Sequence, residues 1–156
     1  MDLHPIVVHF PIAFLLFYGL FELVSVRKLM AKPYWFYVKA VFIILGALGA
    51  VASLLTGEEG IHYGENIALL ETHEAFAQAT VVVSIFISLI YLVAWFGRDK
   101  FQLVAWKFLA NRGAMIPLAI AMIALIVITG GLGGAIVYGT DFDPLMKPIF
   151  QLLGVY

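Results

Sequence analysis

Four histidines and ten acids are the side chains of this protein that could hold a metal, a macrocycle or a proton. His4 and His9 stand in the opening stretch His4-Pro-Ile-Val-Val-His-Phe-Pro-Ile-Ala13, at the mouth of a long apolar run. Proline is tolerated in a first helical turn, so Pro5 can open that helix, while Pro11 denies the carbonyl of Val7 its usual partner. His62 and His73 follow in a polar stretch with Glu58, Glu59, Glu65, Glu71 and Glu74. An imidazole at the rim of an apolar span costs free energy and marks a site to be tested. Facing imidazoles in a helical bundle are the usual ligands of non-covalent haem. Imidazole with carboxylate suits zinc, iron or manganese. For any single histidine, bonding to headgroups, water or a freed carbonyl is the plainer account.

The elements that must position these groups are membrane helices. The 156 residues are 63% hydrophobic and 12% charged, with a mean hydropathy of +1.03. A soluble domain carries about 25% charged residues. The expected fold class is therefore all-α, an integral membrane four-helix bundle forming one domain over residues 1–156. Apolar runs long enough to span a bilayer lie near 9–26, 34–55, 75–96 and 115–136. Residues 144–156 are too short to span and read as an amphipathic tail along the interface, with Pro148 as an interruption. With no cysteine, disulfides, thiolate metal sites and covalent c-type haem are excluded. The start Met1-Asp2 lacks a basic segment and a cleavage site, so the first span is expected to be kept. A net charge of -1 gives no sign of a nucleic-acid partner.

Charge placement sets an expected orientation. Arg27, Lys28, Lys32 and Lys39 flank the first connection, and Arg98, Lys100, Lys107 and Arg112 the third. Eight of the nine basic residues thus share one side, and Lys147 alone is on the other. The basic side is expected to be cytoplasmic, in a bacterial inner membrane, with both termini outside. All four histidines then face outward, with Asp141 and Asp143. Glu22 lies within the first span, and a snorkelling pair with Arg27 accounts for it.

The chain also looks duplicated. Thr56-Gly-Glu-Glu-Gly-Ile-His-Tyr-Gly64 and Thr129-Gly-Gly-Leu-Gly-Gly-Ala-Ile-Val-Tyr-Gly139 share a pattern at the ends of spans two and four. Two hairpins in the same orientation would be related by a pseudo-two-fold axis along the membrane normal, placing His9 and His73 on opposite walls. From His73 a stripe of Ala77, Thr80, Ser84, Ser88 and Tyr91 descends the third span, and Gly46, Gly49, Ala50, Ser53 and Gly57 mark the second. Small residues let helix backbones approach closely, which is sufficient for Gly46 and Gly49. The cluster Gly130, Gly131, Gly133 and Gly134 costs helix stability at the depth of the histidines, and could leave a slot for a flat macrocycle.

His4-Pro-Ile-Val-Val-His-Phe-Pro-Ile-Ala13, Thr56-Gly57, His73 and the segment from Gly130 to Tyr138 together resemble a family of small four-span bacterial membrane proteins of unknown function. That family opens on a His-Pro…Val-His-Phe-Pro signature and closes on a Gly-Gly…Val-Tyr one. Its members are similar in occurring fused to Rieske or cytochrome c domains, which implies a redox setting. The positions that match are His4, His9, His73 and the span-four glycines; His62 has no match.

The expected function is a b-type cytochrome, an electron carrier rather than a stand-alone enzyme. His9 and His73 would ligate haem b, and His4 with His62 is the pair for a second haem. Gly130, Gly131 and Gly134 would form the slot, with Thr56, Tyr63, Tyr138 and Lys147 near the propionates. With no histidine toward the cytoplasmic face, exchange is expected in the outer half only. The partners would be the lipid bilayer, quinol, and an extracytoplasmic cytochrome c or Rieske-type protein, with a homo-oligomer as a further state. The alternatives are a zinc, iron or manganese site using Glu58, Glu71 or Glu74, and a structural subunit of a membrane complex. Against the metal site, His4 and His9 are five residues apart, off one helical face.

Overall fold

The computed structural model describes residues 4–24, 32–57 and 67–155, apart from the side chains of 4 and 5. Among these residues there are six helices and no strand. They are α1 (His4–Leu23), α2 (Pro33–Gly57), α3 (Ile67–Phe96), α4 (Asp99–Ala110), α5 (Arg112–Tyr138) and α6 (Lys147–Leu153). Four of them, α1, α2, α3 and α5, are long and apolar enough to cross a membrane. Their outward faces are as apolar as their inward ones, with Leu48, Leu55, Val82 and Val137 all more than 60% exposed. A helix that is hydrophobic all round suits a lipid surrounding. The chain is an all-α membrane protein.

Around the bundle, α1 packs between α2 and α5, and α3 likewise packs between α2 and α5. Helices α1 and α3 therefore stand diagonally, as do α2 and α5. Close approach is set by small residues. A Cβ at Gly46 would come 2.5 Å from Leu15 Cδ2, and one at Gly49 would come 3.0 Å from Pro11 Cδ. Pro11 therefore seats α1 on α2 without ending the helix. Helix α3 is tied to α2 by the Ser88 hydroxyl, which donates to the carbonyl of Ile43 at 3.1 Å. Thr80 and Thr129 join α3 to α5 through a 3.2 Å hydroxyl contact. The stripe from Thr80 to Tyr91 is buried throughout, at 6% exposure or less.

Three features differ from the sequence expectation. Helix α3 begins at Ile67, ahead of the span expected from near residue 75, so Glu71 shares the helix with His73 and Glu74 instead of standing in the connection. The third connection contains a twelve-residue helix, α4, between α3 and α5. It turns Gln102, Ala105, Phe108 and Leu109 toward the bundle and leaves Phe101, Leu103 and Val104 exposed, the pattern of a helix lying along an interface. In α6, Pro148 occupies the first turn, where its missing N–H costs nothing, so it opens the helix rather than breaking it.

The interior has two parts. Leu15, Tyr18, Ile43, Ile87, Tyr91, Met115 and Met122 fill the main core. At the histidine end, Leu69, Leu132, Ala135, Met146, Phe150 and Val155 make a second cluster. Through it, α6 is folded onto the start of α3 and the end of α5.

Candidate functional site

At the histidine end, the structure places the predicted residues apart from one another in character. His9 is exposed, on the flank of α1 away from Pro11, Leu15 and Tyr18, which face inward. His73 is half-buried with its Nδ1 shielded from solvent, and a Cβ at Gly133 would lie 3.3 Å from its Cε1. Its ring thus rests on the glycine wall of α5. By helical register His4 falls on the α1 stripe of Pro11 and Leu15, but its side chain lies outside the described residues, as do His62, Tyr63, Glu58, Glu59 and Glu65.

The glycine slots are filled by the protein itself. Met146 lies where a Cβ of Gly131 would be, and Phe142 Cζ would be 2.7 Å from a Cβ of Gly134. Only Gly130 has space beside it, with Ile12 Cδ1 the nearest atom at 4.0 Å. Thr56 turns its hydroxyl back to the carbonyls of Ala52 and Ser53 at 3.1 and 3.2 Å. Tyr138 is 75% exposed, and Lys147 pairs with Asp141 at 2.9 Å on the surface. In this arrangement His9 points out of the bundle, and Met146 and Phe142 fill the slots at Gly131 and Gly134 that a macrocycle would need. Nor do the described residues bring three His, Asp or Glu side chains together as a metal site.

The opposite, basic end holds a site that sequence reasoning passed over. Glu22, in the last turn of α1, is 4% exposed. Its Oε2 accepts from Lys39 Nζ of α2 at 3.0 Å, so its cation comes from the next helix. The expected partner Arg27 lies outside the described residues. The other oxygen, Oε1, accepts from Tyr18 Oη at 3.4 Å and from Tyr91 Oη of α3. Both tyrosines are fully buried, their rings edge to face with centroids 5.9 Å apart. Phe36 stacks on Tyr91 at 5.4 Å, and the Lys39 ammonium lies 6.0 Å from the same Tyr91 ring.

The chemistry of this arrangement is that of a held carboxylate. A charge inside an apolar bundle is tolerated only with a counter-ion and enough donors to replace water. Lys39 supplies the first, and the two phenols add to the second. Three helices meet at one carboxyl group. Tyr18, one helical turn before Glu22, is a sequence signal for it, and the small and hydroxylated stripe ending at Tyr91 is the other.

A family model of predicted membrane proteins, DUF2231, matches residues 1–142. The chain belongs to that family. The matched stretch takes in all four membrane helices of this DUF2231 chain together with the Glu22 site, His9, His73 and the span-four glycines, and ends at Phe142. Comparison with curated proteins and with solved structures finds no match.

Proposed function

We propose that this DUF2231 protein handles protons at Glu22, a carboxyl group buried in the basic half of its bundle, as a proton-exchanging subunit of a bacterial inner membrane. The observation that supports this reading is the convergence of Lys39, Tyr18 and Tyr91 on one carboxylate, with Lys39 and Tyr91 also lining an open groove. A buried pair used only as a staple gains nothing from an open side. Here, protonation of Glu22 removes the counter-charge of Lys39 and frees the ammonium to turn toward the groove. The same change leaves the phenols hydrogen-bonded to a neutral acid. Proton uptake is thereby coupled to a change of charge at the groove wall. With the basic end inside, the proton would be exchanged on the cytoplasmic side.

The test is infrared difference spectroscopy of the purified protein between acidic and neutral buffer. A carboxylic-acid C=O band that appears on acidification and is lost in Glu22→Gln supports the reading. A carboxyl signal at Glu22 that never changes with pH overturns it, leaving a permanent structural pair.

The second reading is a b-type cytochrome with His9 and His73 as ligands, supported by the diagonal placement of α1 and α3. It requires α1 to turn His9 inward and Phe142 and Met146 to leave Gly134 and Gly131. An absorption spectrum with a reducible Soret band in the purified protein supports it; a protein purified from haem-replete cells without one overturns it.

A further inference from the structure

Lys39 and Tyr91 do not only close off Glu22. They also line a groove of about 360 Å³ between the start of α2, the end of α3 and the second half of α4. Four further aromatic side chains, Trp35, Phe36, Tyr37 and Trp106, join Tyr91 in its lining. Phe36 and Trp106 lie with ring centroids 4.4 Å apart, so α4 is held to α2 by aromatic contact across the groove. Its size is that of a small-molecule site, for which about 300–1,000 Å³ is usual.

We propose that this groove binds a planar, ring-bearing amphipath of the quinone class, its oxygen toward Lys39, its ring against the aromatic lining and its tail left in the lipid. The inference rests on the reading of Glu22 as a proton-exchanging group, because quinone and quinol head groups differ in the protons that such a group handles. Three observations select the ligand class. An aromatic lining favours a flat ring, which stacks or meets edge to face with it. The charge of Lys39 is already met by Glu22 at 3.0 Å, which leaves Lys32 at the rim as the groove's uncompensated cation among the described residues. An ammonium so paired can still donate to a neutral carbonyl oxygen. Finally, α4 exposes Phe101, Leu103 and Val104, which puts the groove beside a helix suited to the membrane interface, where an amphipath's head resides.

The experiment is titration of the intact protein in lipid nanodiscs with a decyl-tailed benzoquinone and a naphthoquinone of the same tail, read by tryptophan quenching. Trp35 and Trp106 line the groove and report directly. Saturable quenching by either quinone, weakened about tenfold by Ala110→Phe, which fills the groove, and by Trp106→Leu, which removes a wall, supports the proposal. Both variants are first checked for unchanged thermal unfolding, and either one suffices. Quenching that rises without saturation, or that matches the unaltered protein in both variants, overturns it. So does competition by phosphatidylglycerol that is lost in Lys32→Gln, which would make the groove a headgroup site. If quinone binds while the Glu22 carboxyl band stays fixed with pH, the groove stands and the proton reading falls. A moving band without quinone binding gives the reverse.

Discussion

The carboxylate of Glu22 and the ammonium of Lys39 meet at 3.0 Å from two different helices, with only 4% and 16% of their side chains exposed. Each is the other's main compensation for leaving water. Removing one partner of such a pair costs about 3–5 kcal/mol, whereas neutralising both costs much less. Lys39→Met should therefore destabilise the protein strongly, and adding Glu22→Gln should restore part of the loss, since the amide oxygen still accepts from Tyr18 and Tyr91. Thermal unfolding in detergent of the two single variants and the double one measures this coupling. Purely additive losses would show that the pair is not energetically joined.

The glycines of the bundle should respond unequally to alanine. At Gly46 the added methyl would meet Leu15 Cδ2 at 2.5 Å and Cγ at 2.8 Å, so Leu15 must repack or α1 shift on α2. Overpacking of this kind costs about 1–3 kcal/mol. At Gly130 the nearest atom is 4.0 Å away, and alanine also favours the helix by about 1 kcal/mol. Gly46→Ala should lower the unfolding temperature and Gly130→Ala should leave it unchanged or raise it. Equal effects would contradict the packing described for α1 on α2.

That contrast shows what the sequence makes visible. Four long apolar runs are enough to define the spans, because apolarity over that length has few other outcomes in water. The small-residue stripe of α2 likewise points to a close helix contact, and Leu15 and Pro11 fill it. Helix α4 was hidden because Arg98, Lys100, Lys107 and Arg112 make its stretch read as a charged connection, although Gln102, Ala105 and Leu109 follow helical spacing. Glu22 was hidden for a different reason. Spacing along its own helix points to Arg27, while Lys39 and Tyr91 come from α2 and α3. Local pairing can be read from one helix; a site assembled from three cannot. The filling of Gly131 and Gly134 by Met146 and Phe142 is of the same kind, a tertiary contact that spacing does not announce.

Orientation gives a separate prediction. The excess of basic residues beside α4 and before α2 is expected to hold that end in the cytoplasm. A C-terminal fusion to a reporter active only in the cytoplasm should be silent, and a periplasm-active one should report. The opposite pattern would place Glu22 at the outer face and reverse the direction of the proposed proton exchange.

The histidine end offers the sharpest comparison between the two functional readings. Met146 and Phe142 lie against Gly131 and Gly134 of α5, and His73 rests on Gly133 of the same helix. If haem b binds between α1 and α3, these two side chains compete with it for the same space. Met146→Ala and Phe142→Ala should then raise the haem content of the purified protein, measured as pyridine haemochrome per chain. His73→Ala and His9→Ala should each remove the low-spin spectrum, because bis-histidine ligation leaves no open position and needs both rings. His4→Ala then separates one haem from two, since loss of half the haem requires a second centre. If haem content is unmoved by Met146→Ala and Phe142→Ala, and the spectrum survives both histidine changes, His9 and His73 are not the ligands. In that case the C-terminal segment is packing for the second core, and Phe150→Ala, with its fully buried ring, should cost stability alone, by about 3–5 kcal/mol.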